Sequence, residues 1–169
     1  MAVTDPDLLD LALAFPQAAQ VVELAGRSPA RTLATAESCT GGLLAAVLTA
    51  VAGSSRSFLG GLVTYANSLK IEALGVPVQL LLAHGSVSQE VAEAMALGVR
   101  ERFHSTFGLS TTGVAGPGSS DSKPAGLIYV AVAGPDGTAV RRLDRDRGRH
   151  LNRVSAVTTA LDLVLAALS

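Results

Sequence analysis

The 169-residue sequence has a single cysteine, no tryptophan and few charged side chains. One cysteine, Cys39, excludes an internal disulfide and is typical of a reducing compartment. Charged residues make up only 16% of the chain, and the formal net charge is -1. Because so small a charge produces no field that would gather nucleic acid or an anionic membrane, we expect neither as a partner.

The sequence also lacks a long apolar run and the pattern of a signal peptide. Its longest apolar run, residues 43–52, is about half of what a bilayer-spanning helix needs. Two acids, Asp5 and Asp7, stand near the start, where a signal peptide has a basic flank. We therefore expect a cytoplasmic protein without a membrane segment.

Histidine is scarce as well. The chain has three histidines, and none stands in a pattern typical of a catalytic triad or of a zinc site. Ser–His–Asp catalysis is therefore poorly supported by the sequence. We expect no bound metal and no cofactor.

Hydrophobic residues make up 49% of the chain, so Ala, Leu and Val must build the core. The length suits one domain over residues 1–169, with residues 1–30 as an N-terminal helical segment: a helix starting at Asp5-Pro6, then a second from Pro16 to near Gly26. A mean hydropathy of +0.41 favours a homo-oligomer, a dimer or larger, that covers some apolar surface.

Hydrophobic patterning predicts a mixed order of strands and helices. Strands are expected over residues 32–37, 58–65, 108–112, 127–133 and 138–143, the last two as an antiparallel hairpin. Helices are expected over residues 41–51, around Lys70 with Asn67 as its cap, over 78–83, over 89–103 with Ser88 as its cap, and over 150–168. This order predicts an α/β fold, a three-layer α/β/α sandwich with a mixed sheet of about five strands.

The junction between the first strand and the following helix carries residues 36–42, Ala-Glu-Ser-Cys-Thr-Gly-Gly. In an α/β fold such a junction opens at the carboxyl edge of the sheet, where ligands usually bind. The free N–H groups of a first helical turn suit a phosphate or a developing oxyanion. The alternative is structural: Ser38 or Thr40 caps the helix and the glycines turn the chain.

A serine nucleophile at Ser38 needs a base, and the chain offers a lysine in place of histidine. Burial disfavours the charged form of a lysine and leaves a neutral amine, so Lys70 is the candidate base, with Tyr65 five residues before it. Both reach Ser38 only if the first two strands are neighbours; the alternatives are a solvated lysine and a strand-end tyrosine. Cys39 is a rival nucleophile, but no histidine is placed to activate it, and a small buried residue is its usual role.

Three further features are candidates for substrate binding. Glu37 either binds a substrate hydroxyl or caps local backbone N–H groups. The glycine-rich loop over residues 113–118 resembles a phosphate cradle, although it matches neither the P-loop nor the dinucleotide pattern. Arg149 and Arg153, four residues apart, either clamp a phosphate or form a solvated helical face.

Taken in order, five motifs resemble the CinA carboxy-terminal domain family, whose stand-alone members include nicotinamide-nucleotide amidases of the PncC type. They are residues 36–42, Phe-Leu-Gly-Gly at 58–61, Tyr-Ala-Asn-Ser-Leu-Lys at 65–70, Gly-Ser-Val-Ser at 85–88 and Thr-Gly-Val-Ala-Gly-Pro at 112–117. The resemblance runs from about residue 32 to the end. Many members carry an additional N-terminal domain, and we expect none in a chain of this length.

The resemblance implies hydrolysis of the carboxamide of nicotinamide mononucleotide (NMN) to nicotinic acid mononucleotide and ammonia. The family's catalytic serine, tyrosine and lysine fall on Ser38, Tyr65 and Lys70. We expect the substrate to be held by Glu37, Thr40, Gly41, Gly42, Thr112, Gly113, Ala115, Gly116 and Arg149. The alternative function is a non-catalytic module that binds a nucleotide for regulation, since glycine-rich loops bind phosphate whether or not a bond is cleaved.

Overall fold

The structure, a computed structural model, describes residues 10–27, 29–120 and 122–169. The helices are α1 (Leu11–Ala14), α2 (Pro16–Ala25), α3 (Leu43–Thr49), α4 (Asn67–Leu74), α5 (Val78–His84), α6 (Gln89–Phe103) and α7 (Arg149–Leu168). The strands are β1 (Leu33–Glu37), β2 (Phe58–Val63), β3 (Phe107–Gly113), β4 (Leu127–Gly134) and β5 (Gly137–Asp144).

The five strands form one mixed sheet in the order β2-β1-β3-β4-β5. β2, β1 and β3 are parallel, whereas β4 and β5 continue the sheet as an antiparallel hairpin. β1 therefore lies between β2 and β3, and the carboxyl ends of all three meet at one edge. Lys70 and Tyr65 can approach Ser38 only because β1 and β2 are neighbours, as the sequence analysis required.

Helices cover both faces of the sheet, as the predicted three-layer α/β/α sandwich requires. On one face α2, α3 and α7 pack around Val21, Leu48 and Leu161 in the larger hydrophobic cluster. On the other face α4, α5 and α6 pack around Leu74 and Met95. Because Ala34 and Ala36 of β1 are small, the second helical layer approaches the sheet closely at the strand that leads to Ser38.

α7 is the one described helix that is long and apolar enough, by length and composition, to cross a bilayer. The sequence expectation rested on the shorter run over residues 43–52 and did not include α7. Its buried residues, among them Ala156, Leu161 and Val164, belong to the core cluster on the sheet. Packing in the core therefore accounts for its apolar composition.

Three predicted helix starts had different outcomes. The expected start at Asp5-Pro6 lies outside the described residues; α1 begins after Asp10, whose side chain accepts hydrogen bonds from Ala12 N–H and Leu13 N–H. Asn67 was expected to cap α4, and this prediction is wrong. The N-cap of α4 is Ala66, without a side-chain cap, and Asn67 is the first helical residue. Ser88 does cap α6, by accepting from Val91 N–H.

Candidate active site

Ser38 follows directly on β1 at the carboxyl edge of the parallel strands. Its N–H donates to the Thr111 carbonyl at 2.9 Å, which extends the β1–β3 pairing by one residue. Gly41 and Gly42 then turn the chain into α3 with φ values of 61° and 94°. This left-handed region favours glycine, so the two glycines allow the sharp turn that leaves Ser38 at the edge.

Lys70 reaches Ser38 from the first turns of α4. Its side chain is only 1% exposed, and its Nζ lies 3.2 Å from Ser38 Oγ. The same Nζ donates to the backbone carbonyls of Thr64 at 2.8 Å and Tyr65 at 3.3 Å. Burial lowers the pKa of Lys70, because removal from water disfavours the charged amine.

These contacts define how a neutral Lys70 is oriented. A neutral amine has two N–H donors and one lone pair, whereas the ammonium has three donors and no acceptor. The carbonyls of Thr64 and Tyr65 take the two N–H donors. The lone pair is then left for the third neighbour, the hydroxyl of Ser38.

Tyr65 borders the same cavity but is mostly exposed, at 60% of its surface. Its backbone carbonyl contacts Lys70, while its phenol hydroxyl forms no hydrogen bond with any described residue. The structure therefore brings Ser38 and Lys70 into contact and leaves the Tyr65 hydroxyl without a hydrogen bond to a described residue.

Glu37 is buried beneath the turn and does not line the cavity. Its carboxylate accepts from Thr40 Oγ1 at 2.6 Å and from the N–H groups of Gly42, Leu44 and Ala45 at 2.8–3.1 Å. Of its two predicted roles, the geometry therefore gives Glu37 the cap of local backbone groups. Contact with a substrate hydroxyl is not available to it.

Thr40, Gly41 and Gly42 were predicted to hold the substrate, but none of the three lines the cavity. Gly41 N–H donates to the Ser38 carbonyl and Gly42 N–H to Glu37, and neither glycine lines the cavity. The N–H groups of Cys39 and Thr40, in contrast, donate to no other described residue. Cys39 lines the cavity, whereas Thr40 is buried beside it. They are the free donors closest in sequence to Ser38.

Cys39 lies on the cavity wall as a buried thiol, 5% exposed. Burial raises the pKa of this thiol to about 12, so the thiolate is not available near neutral pH. The structure therefore supports the small buried role for Cys39 over that of a rival nucleophile.

The cavity in front of Ser38 has a volume of about 430 Å³, within the range of small-molecule sites. Its described lining contains no carboxylate and includes two basic side chains, Lys70 and Arg149. Its residues are Ser38, Cys39, Tyr65, Asn67, Lys70, Ser86, Val87, residues 112–120 and Arg149. Such a lining suits an anionic ligand of moderate size.

The loop after β3 lines the cavity on the β3 side of Ser38, whereas Lys70 follows β2 on the other side of β1. The predicted residues of this loop have different roles. Thr112 is tied down, because its hydroxyl donates to the Ser86 carbonyl at 2.6 Å. At Gly113 an added Cβ would lie 2.6 Å from Ile128, so packing against β4 requires this glycine. Ala115 and Gly116 have N–H groups without an acceptor among the described residues, and both line the cavity.

Two arginines near the start of α7 contact the backbone around this cavity. Arg149 lines it and donates to the Gly116 carbonyl at 2.8 Å. Arg153 does not line it; its guanidinium donates twice to the Thr40 carbonyl, at 2.6 and 3.2 Å. The two predicted phosphate-clamping arginines thus separate, and only Arg149 is placed to contact a ligand.

Sequence reasoning missed two residues. Asn152, 2% exposed, donates to the Ala115 carbonyl at 3.0 Å and to Asp146 at 2.8 Å, and so fixes the wall loop. A polar Asn four residues before the buried Ala156 on an otherwise apolar helical face was the available signal. Asn67 lines the cavity with an exposed amide that no hydrogen bond occupies in the described part of the chain.

No three His, Cys, Asp or Glu side chains among the described residues are grouped closely enough to hold a metal ion. The described groups around Ser38 are its hydroxyl, the buried amine of Lys70 and free backbone N–H groups.

Comparison with known proteins places these features in a family. The sequence model of the CinA C-terminal domain matches residues 16–168. A CinA-like protein of Frankia casuarinae is 56% identical over 135 residues, which is 79% of this chain and 31% of the relative. A CinA-like protein of a Synechococcus species is 52% identical over 82% of this chain and 34% of the relative. The chain thus spans about a third of the length of the curated relatives that it matches.

Solved structures share this fold. The competence/damage inducible protein CihA from Agrobacterium tumefaciens superposes with a TM-score of 0.82 at 36% identity, covering 100% of both chains. A CinA superfamily protein from Klebsiella pneumoniae has a TM-score of 0.85 at 28% identity and covers 90% of this chain and 96% of its own.

Proposed function

Since this chain belongs to the CinA C-terminal domain family, we propose that it is an amidohydrolase that converts NMN and water to nicotinic acid mononucleotide and ammonia. The observation that carries the proposal is the 3.2 Å contact between Lys70 Nζ and Ser38 Oγ, made by an amine that is 1% exposed. A hydroxyl next to a desolvated amine is an activated nucleophile.

The first half of the reaction attaches the acyl group to Ser38. Neutral Lys70 takes the hydroxyl proton, and Ser38 Oγ bonds to the carboxamide carbon. The C–N bond then breaks, and the proton held by Lys70 passes to the leaving ammonia. Tyr65, at the mouth of the cavity, serves as a relay for this proton or adjusts the basicity of Lys70.

The second half returns the enzyme to its starting state. Water attacks the acyl group with Lys70 again as the base, and the Ser38–carbon bond breaks. Nicotinic acid mononucleotide leaves, and Ser38 recovers its proton from Lys70.

The negative oxygen formed in both halves needs hydrogen-bond donors that are already in place. The unpaired N–H groups of Cys39 and Thr40 are our candidates, in place of the occupied Gly41 and Gly42 N–H groups. Losing one such donor typically lowers kcat by about 10²–10³-fold.

The phosphate of NMN is assigned to the other wall of the cavity. Ala115 and Gly116 present free N–H groups there, and the Arg149 guanidinium lies beside them. Backbone N–H groups together with an arginine form an ordinary phosphate site.

The proposal also includes a cytoplasmic location and a homo-oligomer.

A coupled ammonia assay with NMN, nicotinamide, glutamine and NAD side by side tests the proposal. Ser38→Ala and Lys70→Ala should each abolish ammonia release from NMN, while Lys123→Ala, a lysine outside this cavity, should not. Normal turnover in either of the first two variants would refute the mechanism. Tight NMN binding by calorimetry without ammonia release from the unaltered protein would favour the alternative, a nucleotide-binding regulatory module.

A further inference from the structure

Two charged residues outside the cavity hold the turn that carries Ser38. Glu37 holds it from below through four hydrogen bonds, and Arg153 holds it from α7 through two. Neither side chain lines the cavity. Their contacts therefore act on the shape of the turn and not on a ligand.

The Glu37 contacts exceed what capping a helix requires. An ordinary cap is a Ser, Thr, Asp or Asn directly before the helix, bonded to one or two N–H groups. Here that position is Gly42, which has no side chain, and the cap comes from Glu37 at the far side of the turn. The carboxylate thereby connects the end of β1 to the start of α3 across Ser38.

The Arg153 contact fixes a single peptide unit of the same turn. The guanidinium binds the Thr40 carbonyl at 2.6 and 3.2 Å, and the Gly41 N–H of that same peptide donates to the Ser38 carbonyl at 3.1 Å. Both polar groups of the Thr40–Gly41 peptide are therefore held. A held peptide limits the rotation of its neighbours, which carry the free N–H groups of Cys39 and Thr40.

We propose that Glu37 and Arg153 are positioning residues that hold the Cys39 and Thr40 N–H groups ready for the oxyanion formed at Ser38. The inference rests on the proposed function in one respect, that Ser38 is the nucleophile. Preorganised donors act only at the geometry of the transition state, so a loosened turn lowers the rate of reaction and leaves substrate binding intact.

Arg153→Met tests the inference most directly, with Arg153→Lys as its conservative partner and Arg56→Met, at an exposed arginine outside the cavity, as the matched control. Displacement of catalytic groups by about 1 Å can lower rates by roughly 10²-fold, so Arg153→Met should lower kcat by about 10–100-fold. The KM for NMN should stay within about twofold, because uniform binding is untouched. Arg153→Lys should recover part of kcat, since an ammonium can donate one hydrogen bond to the Thr40 carbonyl.

Labelling of Ser38 by an alkyl fluorophosphonate supplies a readout that does not depend on NMN. In this reaction the Oγ–phosphorus bond forms and the phosphorus–fluorine bond breaks, and fluoride and the serine proton leave. Peptide mass spectrometry gives the labelling rate, with Ser38→Ala as the blank. Arg153→Met and Glu37→Gln should both be labelled more slowly than the unaltered protein, by about 10-fold or more if the oxyanion donors have moved.

Each outcome decides one claim. Unchanged kcat and labelling in folded Arg153→Met would overturn the inference, and so would a raised KM at unchanged kcat, which would make the guanidinium a substrate contact. Slower labelling in the variants, with no ammonia from NMN in the unaltered protein, would keep the inference and remove the proposed substrate. If Ser38 in the unaltered protein neither labels nor turns over NMN, both fall. If Glu37→Gln does not fold, the Arg153 pair alone decides.

Discussion

Lys70→Met should remove both the activity and one component of the pH dependence of stability. Methionine keeps the length and apolar stem of lysine but cannot accept a proton. General-base catalysis typically contributes about 10²–10⁴-fold, so ammonia release should fall by at least ~10²-fold. The structural basis is the contact of the buried Nζ with Ser38 Oγ at 3.2 Å.

The stability effect follows from the direction of the pKa shift. Burial lowers the pKa of Lys70 in the folded protein, while in the unfolded chain it stays near ~10.4. Between these two values the unfolded chain binds one proton more than the folded protein, so the free energy of unfolding rises with pH by up to about 1.4 kcal/mol per unit. Below the lowered pKa, and above about 10.4, the contribution of Lys70 is constant.

Urea unfolding at a series of pH values from about 6 to 10.5 measures this contribution. The difference in the free energy of unfolding between the unaltered protein and Lys70→Met should grow with pH inside the window. The acidic limb of kcat/KM against pH should fall at the pH where this difference begins to grow, since both report Lys70 in the free enzyme. If the curve of Lys70→Met runs parallel to that of the unaltered protein, the amine is charged at neutral pH and the base role is refuted.

Three further substitutions test the roles proposed for Cys39, Arg149 and Tyr65. Cys39→Ala should leave kcat within about threefold and lower the free energy of unfolding by roughly 1 kcal/mol, because the buried thiol packs in the wall and contacts Thr111 but is not the nucleophile. A thiol reagent should not modify the native protein, and loss of activity in this variant would support a cysteine nucleophile. Arg149→Ala should raise the KM for NMN by about 10–100-fold with little change in kcat, as hydrogen bonds to charged groups contribute roughly 1.5–3 kcal/mol; an unchanged KM would move the phosphate elsewhere. Tyr65→Phe should lower kcat by about 10²-fold if its hydroxyl relays the proton, and steady-state kinetics within about twofold of the unaltered protein would exclude that role.

Much of the fold could be predicted because its signals are local. The capping Ser88, the period of α6 and the hairpin around residues 135–137 each depend on neighbours in the chain, and the structure has them where the sequence places them. Asn67 shows the limit of this reasoning. An Asn before a helix is a good cap, but the chain enters α4 one residue earlier, so its amide is left at the cavity.

The residue types of the site could be predicted from the sequence, but several of the contacts between them could not. The types and order of Ser38 and Lys70 pointed to an amine base, and the parallel neighbours β1 and β2 bring them together. The role of Glu37 depends on which backbone groups a flexible side chain reaches across a turn, which no local pattern encodes. Arg153 pairs with Thr40, 113 residues earlier, so its separation from the cavity is a consequence of how α7 docks.

The charge arrangement of the cavity supports a substrate that carries its anionic group away from its reacting carbon. A phosphate close to Lys70 would favour the charged amine and remove the base, because an opposite charge within about 4–6 Å raises the pKa of a lysine. The free N–H groups of Ala115 and Gly116, with Arg149, lie on the wall built by the β3–β4 loop and α7, whereas Lys70 and Ser38 belong to α4 and the β1–α3 junction. In NMN, a ribose separates the phosphate from the ring that carries the carboxamide. Nicotinamide, which has no phosphate, should therefore be a poor substrate at equal concentration, and turnover of nicotinamide at the rate of NMN would contradict the assignment of this wall to the phosphate.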